Sequence, residues 1–431
     1  MQRKRPSEEK AQAVRDLLSG KSTTQNGAEL LSELVRRSTE LTVQSLLEGE
    51  QDDFLGRDRY ERSSNGALRN GYEDATLRTA EGVMKVQLPQ VRGMAQPYRS
   101  KLWSRLGGRS EVLEAIVTEM YVRGLSVRDV EDALLAATGA FVLSDTTVSE
   151  VTARLYEQYE DFCKRDLSQF DVAYLFLDAV YEPLRRYGSS LCVLCAWGIC
   201  TDGSRILLHI TTGNSESTDS VAELLRDMVK RGLRPPMTVT TDGATGATAA
   251  VDKVFERSLR IRCWFHKMQN LQNKVPPAAW PEFKAMVCEV RDAASVEQAR
   301  ARVTDILTNY QAEFPSACRC LEDDLDASLN HLRVLRRHQP FVRTTNLLER
   351  SFVEARRRTK VIPHLWDEKS AVRLVFATLA RISDRWSKRQ FSPLEQKQIL
   401  KARAELLATP TPSPTQDTST PKRRSASRAA A

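Results

Sequence analysis

Two aspartates stand where a charge needs a reason. Asp178 ends the apolar run Tyr174-Leu175-Phe176-Leu177, and Asp242 follows Val239-Thr240-Thr241 and precedes Gly243. A carboxylate on an apolar strand is costly unless it binds a cation or a paired donor. Singly, each also reads as a turn residue, and Asp-Gly is an ordinary turn dipeptide. Together they mean more, because parallel neighbouring strands bring their ends together and two carboxylates there could share hard cations through oxygen. A third carboxylate, Glu349, lies in Thr344-Thr345-Asn346-Leu347-Leu348-Glu349-Arg350 and would project from a helix onto the strand ends. The competing reading is a capping box with Asn346 as N-cap and Glu349 three residues on. Glu354 is a rival, but five residues turn about 140° around a helix, so the two cannot face one site. Glu349 is preferred because it shares a face with Phe352 and Val353, which can pack on a sheet.

Further polar groups surround this trio. Arg350 and the run Arg356-Arg357-Arg358 read as a solvated charge run or, beside such a site, as phosphate contacts. Cys263 and His266 form a Cys-x-x-His pair just after an expected strand, which is half a zinc set. Cys288, Cys318, Cys320, His331 and His338 offer no matching spacing, so a local role in the site region is preferred to zinc. Cys192, Cys195 and Cys200 sit in an apolar strand as core thiols. Glu216 is either a first-turn helix charge or an acid behind the site.

The elements that must position these groups follow from periodicity. Residues 1–50 read as helical through Leu17, Leu18, Leu30, Leu31, Leu34 and Val35, and Leu77 to Val91 as a short hairpin broken at Gly82 and ending at Pro89 and Gly93. Two or three helices fill 111–157, with a stop and an N-cap in Arg123-Gly124-Leu125-Ser126. That spacing suits a helix-turn-helix or a plain helical bundle. From 170 the order is βββαβαβ, with Val172 to Leu177, Leu191 to Ile199 and Ile206 to Ile210 as an antiparallel meander. Residues 276–340 carry helical periodicity without a strand signal. Two helices follow, Arg343 to Lys360 and one containing Val372 to Ile382, and the tail from Ala408 is rich in Thr, Pro and Ser and reads as disordered.

The chain of 431 residues is long enough for two or three domains, and its net charge of +8 suits a polyanion partner. Met1 to Lys10 has no apolar stretch of a secretory signal, and the most apolar segment, Leu191 to Cys200, is too short to span a bilayer. The expectation is a cytoplasmic protein without a membrane partner, its eight cysteines thiols rather than a disulfide framework.

In ordered series these motifs resemble the Mutator-type transposases of bacterial insertion sequences. The resemblance rests on Leu177-Asp178-Ala179-Val180-Tyr181, Asn214-Ser215-Glu216-Ser217, Arg231-Gly232-Leu233, Asp242-Gly243, Arg262-Cys263-x-x-His266-Lys267-x-x-Asn270, and Thr344-Thr345-Asn346-x-x-Glu349-Arg350 with Arg357-Arg358 beyond. Asn70-Gly71-Tyr72 and Arg123-Gly124-Leu125-Ser126 extend it towards the N-terminus, so it covers roughly residues 60 to 385. One departure is that Ser220 and Val221 stand where the family often has a Trp. The resemblance implies an α/β, RNase H-like mixed-sheet core with an all-helical insertion, preceded by a mainly helical DNA-binding region. It implies a catalytic, metal-binding DDE triad of Asp178, Asp242 and Glu349 working with Mg²⁺ or Mn²⁺ on DNA, in a homodimer or larger assembly, with Cys263 and His266 in the active-site region. The expected division is 1–105 (helices and hairpin), 106–165 (helix-turn-helix-like), 166–275 and 341–392 (core), 276–340 (insertion) and 393–431 (helix end and basic tail). The alternative is a transposase-derived DNA-binding regulator without catalysis, or a metal-dependent nuclease that does not join strands.

Overall fold

The computed structural model describes residues 4–19, 27–57, 59, 61, 66–94, 97–183, 190–213, 217–360 and 367–408; Glu216 and the tail from 409 lie outside them. In the N-terminal part, α1 (Pro6–Leu18) and α2 (Gly27–Leu55) precede the hairpin β1 (Leu68–Thr79) and β2 (Gly82–Arg92). The hairpin is longer than its alternation suggested. The first half of β1 is solvated on both faces, so no period-two signal exists there. Pro89 lies inside β2, opposite Tyr72, at a register shift between Arg69 and Tyr72 that takes up its missing donor.

The face of α2 that meets the hairpin is partly polar. Leu31 is 62% exposed, whereas Glu40, Gln44, Glu48 and Gln51 are buried. The Gln44 carboxamide acts like a strand's peptide group. It donates to the Gln87 carbonyl and accepts from the Gln87 N–H, both at 2.8 Å, while Gln51 donates to the Gln90 carbonyl at 2.9 Å. The outer edge of β2 is thereby closed by helix side chains.

After α3 (Lys101–Leu106) come α4 (Glu111–Val122), α5 (Val127–Thr138) and α6 (Asp145–Lys164). Ser110, Ser126 and Ser144 cap them, and Ser126 forms a reciprocal box with Asp129. Leu113, Val117, Val130, Leu134 and Val148 give these three helices their own small core.

A five-stranded mixed sheet follows. Its strands are β3 (Val172–Pro183), β4 (Ser190–Cys200), β5 (Arg205–Gly213), β6 (Thr238–Thr241) and β7 (Leu259–Arg262), in the order β5-β4-β3-β6-β7. The first three pair antiparallel; β3, β6 and β7 run parallel. Between them lie α7 (Thr218–Lys230) and α8 (Thr245–Val254), which cover one sheet face over Leu175, Leu177 and Leu194.

Beyond β7, α9 (Trp264–Gln272) opens a helical stretch of α10 (Trp280–Arg291), α11 (Val296–Tyr310), α12 (Pro315–Glu322), α13 (Leu325–Leu329), a 3₁₀ turn (Asn330–Arg333) and α14 (Gln339–Val342). Phe283, Val287, Val303, Ile306 and Leu321 form its core, with Trp264 built in. Then α15 (Asn346–Thr359), α16 (Glu368–Trp386) and α17 (Pro393–Ala408) return to the sheet. Leu348, Phe352, Leu374 and Val375 pack with Tyr174, Phe176 and Val180 on its second face.

Candidate active site

The parallel register decides where the aspartates lie. Tyr174 pairs with Thr238, Leu175 with Val239 and Phe176 with Thr240. Asp242 is the first residue past β6, and the same offset carried two residues beyond the last pair would bring it level with Asp178. On the other side of β6, Thr241 pairs with Arg262, so Cys263 follows in the same row. Asp178 has the parity of Phe176 and Val180 and therefore faces α15. Both aspartates are half-buried. Asp178 accepts from the Ala179 N–H and Asp242 from the Ala244 N–H, each at 2.9 Å, so backbone donors fix one oxygen of each. After Asp242 the chain turns through Gly243 at φ +88°, and a Cβ there would lie 1.8 Å from the Arg262 guanidinium. That guanidinium donates to the Gly243 carbonyl at 2.8 Å, so glycine is required by the site and not merely by a turn.

Glu349 reaches the strand ends through a stapled segment. Thr240 Oγ1 donates to the Val342 carbonyl at 2.8 Å, and the Trp264 N–H donates to the Arg343 carbonyl at 2.8 Å. The Thr345 N–H donates to Cys263 Sγ at 3.3 Å, and Thr345 Oγ1 lies 3.4 Å from both Cys263 Sγ and Glu349 Oε1. The N-cap of α15 is Thr345 rather than Asn346, and no side chain caps it. The capping box weighed from the sequence is therefore absent, and Glu349 is turned to Thr345 one helical turn back. Val353, expected to pack on the sheet, is 55% exposed; Leu348, Phe352 and Ala355 do that packing. Glu354 faces away, paired with Arg358 at 3.2 Å and Arg357 at 3.8 Å.

Cys263 is fully buried as the N-cap of α9, whose first residue, Trp264, reads from the sequence as the end of a strand. The sulfur ties β7 to the start of α15. His266, one turn along α9, leans on it. The hydrogen bond to Cys263, with the charges of Asp178 and Asp242, pushes the His266 imidazole up to about 9 against the opposing effect of burial. Cys263 and His266 stand about one helical turn apart, the first as the N-cap of α9 and the second within it. On the far side, burial with Asp178 next to it pushes the Cys195 thiol up.

Among the described residues, no three His, Cys, Asp or Glu side chains converge tightly enough to hold an ion. The donor types nonetheless suit a hard cation: Asp178 within β3, Asp242 just past β6 and Glu349 on α15 all offer carboxylate oxygens. Of the arginines singled out from the sequence, Arg356 lies within the field of buried Glu182 at the outer end of β3. Arg350, Arg357 and Arg358 instead line a cleft on the opposite flank of α15. Lys267, buried beside His266, was not singled out. It donates to the Asp323 carbonyl, and burial lowers its ammonium to about 8. With the Arg260–Asp324 pair at 2.6 Å, it fastens α9 and β7 to the helical stretch.

Comparison with known proteins matches this framework. A family model described as "Transposase, Mutator family" matches residues 10–389. A transposase for insertion sequence element IS406 of Burkholderia multivorans is 32% identical over 368 residues, covering 84% of this chain and 92% of the relative. One for IS6120 of Mycolicibacterium smegmatis is 32% identical over 275 residues, 64% of this chain and 85% of the relative. One for ISRM5 of Rhizobium meliloti is 29% identical over 355 residues, 82% and 88% respectively. With the family model running across nearly its whole length, the chain belongs to the Mutator family of transposases.

Proposed function

We propose that the protein is an insertion-sequence transposase that cuts DNA at the element's ends and joins the freed 3′-OH to a target strand. What supports this is the parallel β3–β6 pairing, whose register carried past Phe176 and Thr240 would bring Asp178 and Asp242 level, with α15 packed on the same sheet face. The strand order, three antiparallel then two parallel, with helices on both faces and a helical stretch before the last helices, supports an RNase H-like core. Residues 276–340 are then the insertion, and the capped helices of 106–165 belong to the DNA-binding region.

Asp178, Asp242 and Glu349 would hold Mg²⁺ or Mn²⁺, which when bound lowers the pKa of a water or a 3′-OH and offsets charge on the leaving oxygen. The chain's own residues orient and neutralise. The Ala179 and Ala244 amides fix the aspartates, Thr345 holds Glu349, and the Cys263 thiol keeps α15 registered on β7. Preset position is the larger share of what such a site supplies to phosphoryl transfer. DNA is the polyanion the basic surface serves, and pairing two element ends calls for a dimer or larger assembly. Among the described residues, no helix is long and apolar enough to cross a membrane.

The test is nicking of a supercoiled plasmid carrying the element's ends, with and without Mg²⁺. Metal-dependent nicking lost in Asp242→Asn, with end binding retained, is expected. Nicking by Asp242→Asn would overturn the assignment. Specific end binding without any nicking by the unaltered protein would favour a DNA-binding regulator.

A further inference from the structure

The flank of α15 that carries Arg350, Arg357 and Arg358 forms one wall of an open cleft of about 360 Å³. Six arginines line it: Arg350, Arg357 and Arg358 from α15, Arg381 and Arg385 from α16, and Arg123 from the turn after α4. They come from three separated stretches of sequence. Two carboxylates answer them. Glu354 pairs with Arg357 and Arg358, and Glu119 pairs with Arg123 at 3.2 Å and Arg381 at 2.6 Å. Among the described residues, neither Arg350 nor Arg385 has an ion-pair partner, and both are exposed. The excess continues outward, since burial together with Arg389 and Arg350 lowers the Arg205 guanidinium.

Guanidinium groups crowded to this degree repel one another unless an anion sits among them, and their planar forks match phosphate oxygens. An open cleft walled by three elements suits a polymer backbone better than a small anion. The wall from the α4–α5 turn is fixed in place. At Gly124, φ +103°, a Cβ would lie 3.5 Å from the Arg358 backbone, so the turn rests directly on α15. The helix carrying Glu349 and the helices of 106–165 therefore grip one surface together.

We propose that this cleft seats the sugar-phosphate backbone of duplex DNA flanking the cut. Its phosphates are not the scissile one. At about 100° per residue, Arg350, Arg357 and Arg358 stand roughly 80–180° around α15 from Glu349, so the cleft lies off the face that carries the carboxylate. Arg123, Arg381 and Arg385 thereby join the DNA contacts, and duplex held by the N-terminal helices is fixed relative to Glu349. This rests on the transposase reading, and the test separates the two.

The probe is a labelled random-sequence duplex titrated across a range of salt, with nicking of an end-bearing plasmid measured alongside. Each phosphate contact contributes about 0.9 to the slope of log affinity against log salt. The double variant Arg350→Gln/Arg385→Gln removes the two unpaired arginines and is expected to lower that slope by about 2, each single change by about 1. Lys230→Ala, exposed on α7, is expected to leave it unchanged. Nicking of the plasmid is expected to require more DNA in the double variant than in the parent. An unchanged slope in variants that melt like the parent overturns the cleft, whether or not the parent nicks. A lowered slope with no nicking by the parent supports the cleft and removes the transposase reading.

Discussion

Replacing Thr345 by valine tests how Glu349 is held. Thr345 is fully buried, and its hydroxyl lies 3.4 Å from both Cys263 Sγ and Glu349 Oε1. Valine keeps the volume, so no cavity opens. The backbone bond from Thr345 N–H to Cys263 Sγ at 3.3 Å survives, so α15 keeps its starting point. What is lost is one long hydrogen bond to a carboxylate and one weak contact with Cys263 Sγ, together about 1 kcal/mol. A fall in melting temperature of no more than about 2–4 °C is expected. The effect on cleavage should be larger. A displacement of about 1 Å in a catalytic group costs on the order of 100-fold. The expected result is a 10- to 100-fold lower rate (~1.4–2.8 kcal/mol in the barrier) at saturating DNA, with DNA affinity unchanged. Thr345→Ser, which keeps the hydroxyl, should recover most of the rate. Single-turnover cleavage with a parallel binding isotherm separates the two quantities. A valine variant that cleaves at the parental rate, or a serine variant equally impaired, refutes the reasoning.

Other consequences follow from the same contacts. Gly243→Ala forces a Cβ onto the Arg262 guanidinium in a left-handed backbone, so a loss of about 2 kcal/mol or more and a strong loss of nicking are expected in melting and plasmid assays. Gln44→Leu leaves the Gln87 N–H and carbonyl without partners; a loss of about 2 kcal/mol is expected, with faster hydrogen exchange at Gln87. His209 is 7% exposed, and burial with Arg231 alongside holds its imidazole down to about 4. Because the folded value lies below the unfolded one, near 6.5, this contribution is present above pH 6.5 and lost as pH falls towards 4. About 2 kcal/mol should vanish between pH 7 and 5 in denaturant titrations, and His209→Gln should flatten that slope.

Much of the site was legible because its signals are local. Asp178 and Asp242 each close an apolar run, and Ser126 after the Gly124 stop marked the start of α5. The pairing of the two aspartates was not local, since it depends on register between β3 and β6, which the runs alone do not set. The choice of Glu349 over Glu354 was reached partly through Val353, which turns out exposed; the helix is oriented by Leu348, Phe352 and the Thr345–Cys263 contacts. Helix α9 was missed because Cys263-Trp264 continues an apolar strand pattern. Its start is set from outside by the Arg343 carbonyl. The buried stripe of α2 was also hidden. Glu40, Gln44, Glu48 and Gln51 read as a solvent face, and only the open edge of β2 turns them inward. The arginine cleft gathers Arg123, Arg350 and Arg381 from distant segments, so no spacing rule announces it.

The central claim is that three carboxylates on β3, β6 and α15 perform the chemistry. The most direct measurement is strand transfer. A labelled duplex ending in the element's terminal repeat is offered a supercoiled target with Mg²⁺. The parent protein is run beside Asp178→Asn, Asp242→Asn, Glu349→Gln and Glu354→Gln. Joining by the parent and by Glu354→Gln, absent in the other three while all five bind the ends, is the predicted result. Joining that survives in any of the three, or that is lost only with Glu354→Gln, would contradict it.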